Sequence, residues 1–109
     1  MQDIIAAATE LGKKIAASER TKAFLAAAKA VAGDKDAQAI LRDFQNQSEK
    51  LRELAEAGKP IEPNDKRKLS DLESSVASND KLKAMMRSQA DYFELMTRVQ
   101  QAIDAATQI

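Results

Sequence analysis

The sequence predicts an all-α protein, an elongated antiparallel helical bundle with two long coiled-coil-like helices and shorter flanking helices. Three observations carry this expectation. Apolar residues recur at alternating spacings of three and four along most of the chain, the period of a helix that buries one face. Alanine is abundant, whereas there are only 3 glycines and 2 prolines, the profile of long, closely packed helices. No run alternates apolar with polar residues, and the β-branched residues are scattered, so nothing reads as a strand. At 109 residues, a single domain spanning 1–109 is expected.

The first helix is expected over Asp3 to Ala17, with Ile4, Ala8, Leu11 and Ile15 on one face and Ile5 beside them. Gly12 inside it costs about 1 kcal/mol relative to Ala, which close packing of a neighbouring helix, or else a hinge, would explain. Ser18 restarts or bends the chain, and Glu19 follows in the next first turn, where the helix dipole favours a negative charge. The segment Glu19 to Ala32 carries Phe24, Leu25, Ala28 and Val31 toward a core, and Gly33 closes it. Together these two segments form an arm that can fold back antiparallel on the third helix through the short Ala32–Lys35 connection.

That third helix is a central rod, Asp34 to Lys59, around which the rest of the chain is organised. Asp34 is placed to cap it, and Asp36 adds negative charge at its positive end. Its stripe is Ala37, Ile40, Leu41, Phe44, Gln47/Ser48, Leu51, Leu54 and Ala55. Gly58 supplies the left-handed residue after its last turn, and Pro60 bars continuation. The loop Lys59–Asn64 holds both prolines. After it, either Asn64 caps the next helix or Pro63 opens it behind Glu62. That helix, Asp65 to about Ala77, has a thin stripe of Leu69, Leu72 and Val76. Ser78 or Asn79 caps the last helix, which runs to about Thr107. Its stripe is Leu82, Met85/Met86, Gln89, Tyr92/Phe93, Met96, Val99, Ile103 and Ala106, with a seven-residue repeat suited to coiled-coil packing. Each long stripe has a polar interruption, Gln47/Ser48 in one and Gln89 in the other. These either face one another and set register, or lie at the stripe edges.

Two rods of this length cannot bury their stripes against two shorter segments. The surplus apolar surface points to a homo-oligomer or an assembly with related helical chains.

Composition removes several classes of chemistry. With no Cys and no His, the chain lacks the commonest nucleophile, general base and zinc ligands. The seven serines have no His to activate them, and the three isolated glycines form no phosphate-binding loop. No catalytic, cofactor or metal residues are therefore expected. The 17 basic and 17 acidic residues balance and intermix, which counts against a strong hold on nucleic acid. The N-terminus lacks a basic segment before its apolar residues and is interrupted by Glu10, Lys13 and Lys14. It reads as neither a signal peptide nor a membrane span, and a cytoplasmic location is expected.

Two groups of residues are candidates for partner binding. Lys66, Arg67 and Lys68 form a basic run in the first turn of a helix, where the dipole disfavours cations, and would meet an acidic protein or an RNA backbone. Offset by Asp65 and Asp71, the same run also reads as a solvated turn. Met85, Met86, Tyr92, Phe93 and Met96 line the final stripe as core filling or as an adaptable partner groove. The carboxylates Glu49, Glu53 and Glu56, interleaved with Lys50 and Arg52, read as a solvated helix face.

Nearly the whole chain resembles the YlbF/YmcA family of small helical bacterial proteins, related to control of competence, sporulation and biofilm formation. The likeness is carried by Ile15-Ala16-Ala17-Ser18-Glu19 and by Asp34-Lys35-Asp36-Ala37-Gln38 followed by Leu41 and Phe44-Gln45. It continues through Gly58, then Leu69 and Leu72, then Asn79 opening a helix with Tyr92-Phe93, Leu95, Val99 and Ile103. The resemblance implies a non-enzymatic adaptor associated with a complex that modulates ribonuclease Y, and hence messenger RNA maturation and turnover. Some family members carry iron–sulfur clusters through cysteines, a function that does not transfer to this cysteine-free chain. The expectation is a regulatory adaptor that binds itself, related helical chains or a ribonuclease complex. The alternatives are a prefoldin-like holdase and a weak nucleic-acid binder.

Overall fold

A computed structural model describes residues 1–108. They form five helices: α1 (Gln2–Ala17), α2 (Glu19–Ala32), α3 (Lys35–Glu56), α4 (Pro63–Ser78) and α5 (Asp80–Ala106). No strand occurs among the described residues.

Each helix boundary has a local cause. The Ser18 hydroxyl accepts from the Arg20 N–H at 3.3 Å and separates α1 from α2. Asp34 Oδ1 accepts from the Ala37 N–H at 3.0 Å, the N-cap of α3. At the other end of α3, the Lys59 N–H reaches the Leu54 carbonyl (2.9 Å) and the Gly58 N–H reaches that of Ala55 (3.1 Å). This Schellman pairing needs the left-handed backbone that Gly58 adopts, with φ +69°. Pro63 opens α4 behind Glu62, so α4 begins before Asp65. The Lys66–Lys68 run therefore lies beyond the first three helical positions, where the dipole opposes cations less. Asn79, rather than Ser78, caps α5: its Oδ1 accepts from the Leu82 N–H at 3.0 Å.

α1 passes through Gly12 without a break. A Cβ built there meets nothing within 4 Å, so the expected close approach of a neighbouring helix is absent among the described residues.

The chain divides into two compact units, with boundaries inside α2 and α5. Unit 1 comprises Met1–Ala28 with Met85–Ile109, and unit 2 is Lys29–Ala84. Unit 2 contains all the buried apolar residues among those described: Val31, Ala37, Val76 and Leu82, of which Leu82 is the one large side chain fully buried. All four stand at helix ends, in the last turn of α2, the first of α3, the last of α4 and the first of α5. Lys81 Nζ bonds Asp34 Oδ2 at 2.9 Å and brings these ends together. The Gln38 amide closes the corner further by donating to the Ala32 carbonyl. Within unit 2, α3 packs along α4.

Unit 1 is organised differently. Its buried residues are the small polar Thr21 and Ser88, and its large apolar side chains are half-buried or exposed. Phe24 of α2 meets Tyr92 of α5 with ring centroids 5.4 Å apart and Phe93 edge-on at 6.4 Å. Arg20 Nη1 donates to the Asp91 carbonyl (3.1 Å) and to Glu94 Oε2 (3.2 Å), fixing the same two helices by polar contacts.

Candidate functional site

Two surfaces stand out, one in each unit. In unit 1, Met1, Ile4, Ile5, Leu25, Met86, Phe93 and Ile103 are exposed, and they account for every exposed large hydrophobic residue among those described. Ile4 is 68 % exposed and Leu25 63 %, values foreign to core positions. The helical periods that place Ile4, Ile5 and Ile103 on stripes create the amphipathic faces, and the fold of this unit leaves them bare. Of the residues singled out on the final stripe, Met85, Tyr92 and Met96 are half-buried while Met86 and Phe93 are exposed. Tyr92 and Phe93 join Phe24 in one aromatic cluster. Phe24 was legible as a core residue of its helix, but its contact with α5 depends on tertiary placement.

In unit 2, α3 and α4 enclose an open groove of about 380 Å³ lined by Asp43, Asn46, Gln47, Lys50, Lys68 and Leu72. Gln47 is the residue that fixes this groove. It is 4 % exposed, and its Nε2 donates to the Asp65 carbonyl of α4 at 2.9 Å. It is not at the stripe edge; its amide bridges α3 to the first turn of α4. Lys50 Nζ meets Asp65 Oδ1 at 3.0 Å beside it. Lys50 and then Gln47 stabilise the Asp65 carboxylate and hold its pKa below the ordinary value. Of the basic run, Lys68 lines the groove; Lys66 and Arg67 are exposed and are not part of its lining.

The acidic face of α3 is a local ion-pair ladder. Arg52 bridges Glu49, one turn back, and Glu56, one turn on, the latter at 2.6 Å. Hydrogen bonding from Arg52 lowers the Glu49 pKa, and the same bond raises that of Arg52. No group of three or more acidic, His or Cys side chains is arranged to hold a metal ion among the described residues. No helix among them is long and apolar enough to cross a membrane.

The sequence model of the family described as "Control of competence regulator ComK, YlbF/YmcA" matches residues 4–107. The chain belongs to the YlbF/YmcA family. Among curated relatives, a UPF0342 protein of Lactobacillus helveticus is 26% identical over 102 residues, covering 94% of this chain and 88% of that one. A UPF0342 protein of Streptococcus agalactiae is 27% identical over 108 residues, covering 99% and 97%. Two solved structures share the fold at 22% identity. One, a protein of unknown function (DUF964) from Bacillus stearothermophilus, has a TM-score of 0.75 over 95% of this chain and 91% of its own. The other, Bacillus subtilis RicA solved in complex with RicF, has a TM-score of 0.78 over 95% and 92%. YlbF/YmcA membership thus agrees with the all-helical architecture and links the chain to a family named for competence regulation.

Proposed function

We propose that this YlbF/YmcA-family chain is a non-enzymatic, cytoplasmic helical adaptor that works by association with a second copy of itself or with a related helical chain. The observation that carries this reading is the segregation of apolar surface. Every exposed large hydrophobic side chain among the described residues falls in unit 1, while the buried apolar residues fall in unit 2. Apolar residues concentrated in this way are the mark of a surface covered in an assembly. The structural likeness to RicA, a protein solved in complex with RicF, supports the same reading. In it, the assembly modulates an RNA-processing ribonuclease complex and, through it, competence, sporulation or biofilm-type development. Met85, Met86, Tyr92, Phe93 and Met96 serve the association, with Ile4 and Leu25 added by their exposure.

The test is an affinity pull-down of tagged protein from nuclease-treated lysate of its own host, read by mass spectrometry, beside light scattering of the purified chain. Recovery of a small helical relative or a ribonuclease, or a self-assembled species in solution, is expected. The double variant Ile4→Glu/Phe93→Glu is expected to abolish that association while keeping its helical circular dichroism. A monomer that recovers neither kind of protein would overturn the proposal.

A further inference from the structure

The two units are held by unequal means. Unit 2 buries Val31, Ala37, Val76 and Leu82, and its buried Gln47 amide bonds the Asp65 carbonyl at 2.9 Å. Its helix ends are closed by Asp34, Asn79 and Gly58. Unit 1 buries no apolar side chain among the described residues. What it buries are Ser88 and Thr21, and the Thr21 hydroxyl has no hydrogen-bond partner among those residues. An unpaired buried hydroxyl keeps its desolvation penalty and gains no bond in return. The aliphatic side chains of this unit, Leu11, Ile15 and Val99 among them, are half-buried at best.

Local signals in unit 1 are weak as well. α1 has no side-chain cap at its N-terminus, and Gly12 in its middle lowers its helix propensity. At 16 residues it is close to the length, about 12–15, below which an isolated helix is marginal in water. The last turn of α5 holds Asp104 and no basic residue, the wrong sign for that end of the helix dipole. Against this stand the cluster of Phe24, Tyr92 and Phe93 and the Arg20 bonds to Asp91 and Glu94. The Arg20 and Glu94 side chains are 44% and 48% exposed, where an ion pair adds little.

We infer that unit 1 is a separate, weakly stable folding unit, which opens in the free chain while unit 2 stays folded. The opening comprises α1, α2 as far as Ala28, and α5 from Met85 on. Sub-global openings follow the distribution of buried apolar contact, and here that contact is concentrated in one unit. The consequence for association rests on the assembly reading above. A partner that covers Ile4, Leu25 and Phe93 binds only the closed form of unit 1 and stabilises it by mass action. Association then includes the ordering of unit 1, which lowers the affinity for a given contact area and keeps the assembly reversible. A passive docking face, by contrast, would be as well ordered before association as after it.

The test is amide hydrogen exchange of the full chain, first at a concentration where light scattering shows a monomer. Amides of α3 and α4 are expected to be protected about 30-fold or more above those of α1 and of α5 beyond Met85. Val76→Ala removes both γ-methyl groups from a buried position of unit 2. It is expected to speed exchange in α3 and α4 about tenfold and to change that of α1 by less than about twofold, because unit 1 opens without unit 2. Raising the concentration until light scattering shows association should slow exchange in α1 about tenfold or more. Equal protection of the two units in the monomer, or equal acceleration of both by Val76→Ala, would overturn the inference. So would an assembled species whose α1 exchanges as fast as in the monomer. A chain that is monomeric at every concentration would count against self-assembly, and its exchange pattern would still decide whether unit 1 opens alone.

Discussion

Replacing Leu82 by Ala is the most informative perturbation of the fold, because Leu82 is the one large side chain among the described residues with no solvent exposure. The substitution removes three carbon groups, worth about 2.4 kcal/mol at roughly 0.8 kcal/mol per buried methylene. A cavity adds to this, but the surrounding elements are helix ends with half-buried neighbours such as Asp34 and Asn79, which can settle into the space. The total should therefore fall near the low end of the Leu→Ala range, about 3 kcal/mol. A chain of 109 residues has a stability of roughly 5–16 kcal/mol, so this is a large share of it. At about 2.1 cal/mol/K per residue the unfolding entropy is roughly 0.23 kcal/mol/K, which converts the loss to a melting-point drop of about 13 °C. Urea and thermal unfolding should be followed by far-ultraviolet circular dichroism at one protein concentration, since self-association adds to apparent stability. Met86→Ala, at an exposed position on the same helix, should lose under about 1 kcal/mol. A Leu82→Ala loss below about 1 kcal/mol, or an equal loss for Met86→Ala, would refute the assignment of Leu82 as the anchor of unit 2.

Thr21 is buried and its hydroxyl has no hydrogen-bond partner among the described residues. Thr21→Val, similar in shape and helix propensity, is therefore expected to raise stability by about 1 kcal/mol in urea unfolding, and destabilisation would show that the hydroxyl is satisfied. The two glycines within α1 and after α3 should respond with opposite signs. Gly12→Ala, with open space around the new Cβ, should stabilise by about 0.5–1 kcal/mol. Gly58→Ala, at φ +69°, should destabilise by about 1–2 kcal/mol, and equal signs in thermal melts would contradict this. Asp34, Glu49 and Asp65 have pKa values below the ordinary range, Asp34 chiefly through the Ala37 N–H and then Lys81. Because their folded values are depressed, the stability they contribute is present above the ordinary carboxylate value of about 4 and is lost as pH falls through the folded values. An acid titration of unfolding stability should decline in that window, and less steeply in Asp34→Asn and Asp65→Asn variants.

Helix limits were legible because their causes are short-range. Asp34 and Asn79 cap through bonds spanning three residues, Gly58 takes a conformation that only its missing side chain makes cheap, and Pro63 needs no N–H at a helix start. Absence of Cys and His removed whole chemistries without any fold being known. Family membership was also legible, because the order and spacing of these helical signals persist along the chain.

Tertiary structure decided which parts of each stripe are covered. Periodicity marks Leu82 and Phe93 as equivalent positions on one helix, yet Leu82 is fully buried and Phe93 is 54 % exposed. The same applies to Gln47, whose amide pairs with an Asp65 carbonyl eighteen residues away, and to Lys68, which lines a groove that Lys66 and Arg67 do not. Amphipathic spacing makes a face available for burial. What buries it is another segment of chain, distant in sequence, and no local propensity carries that information.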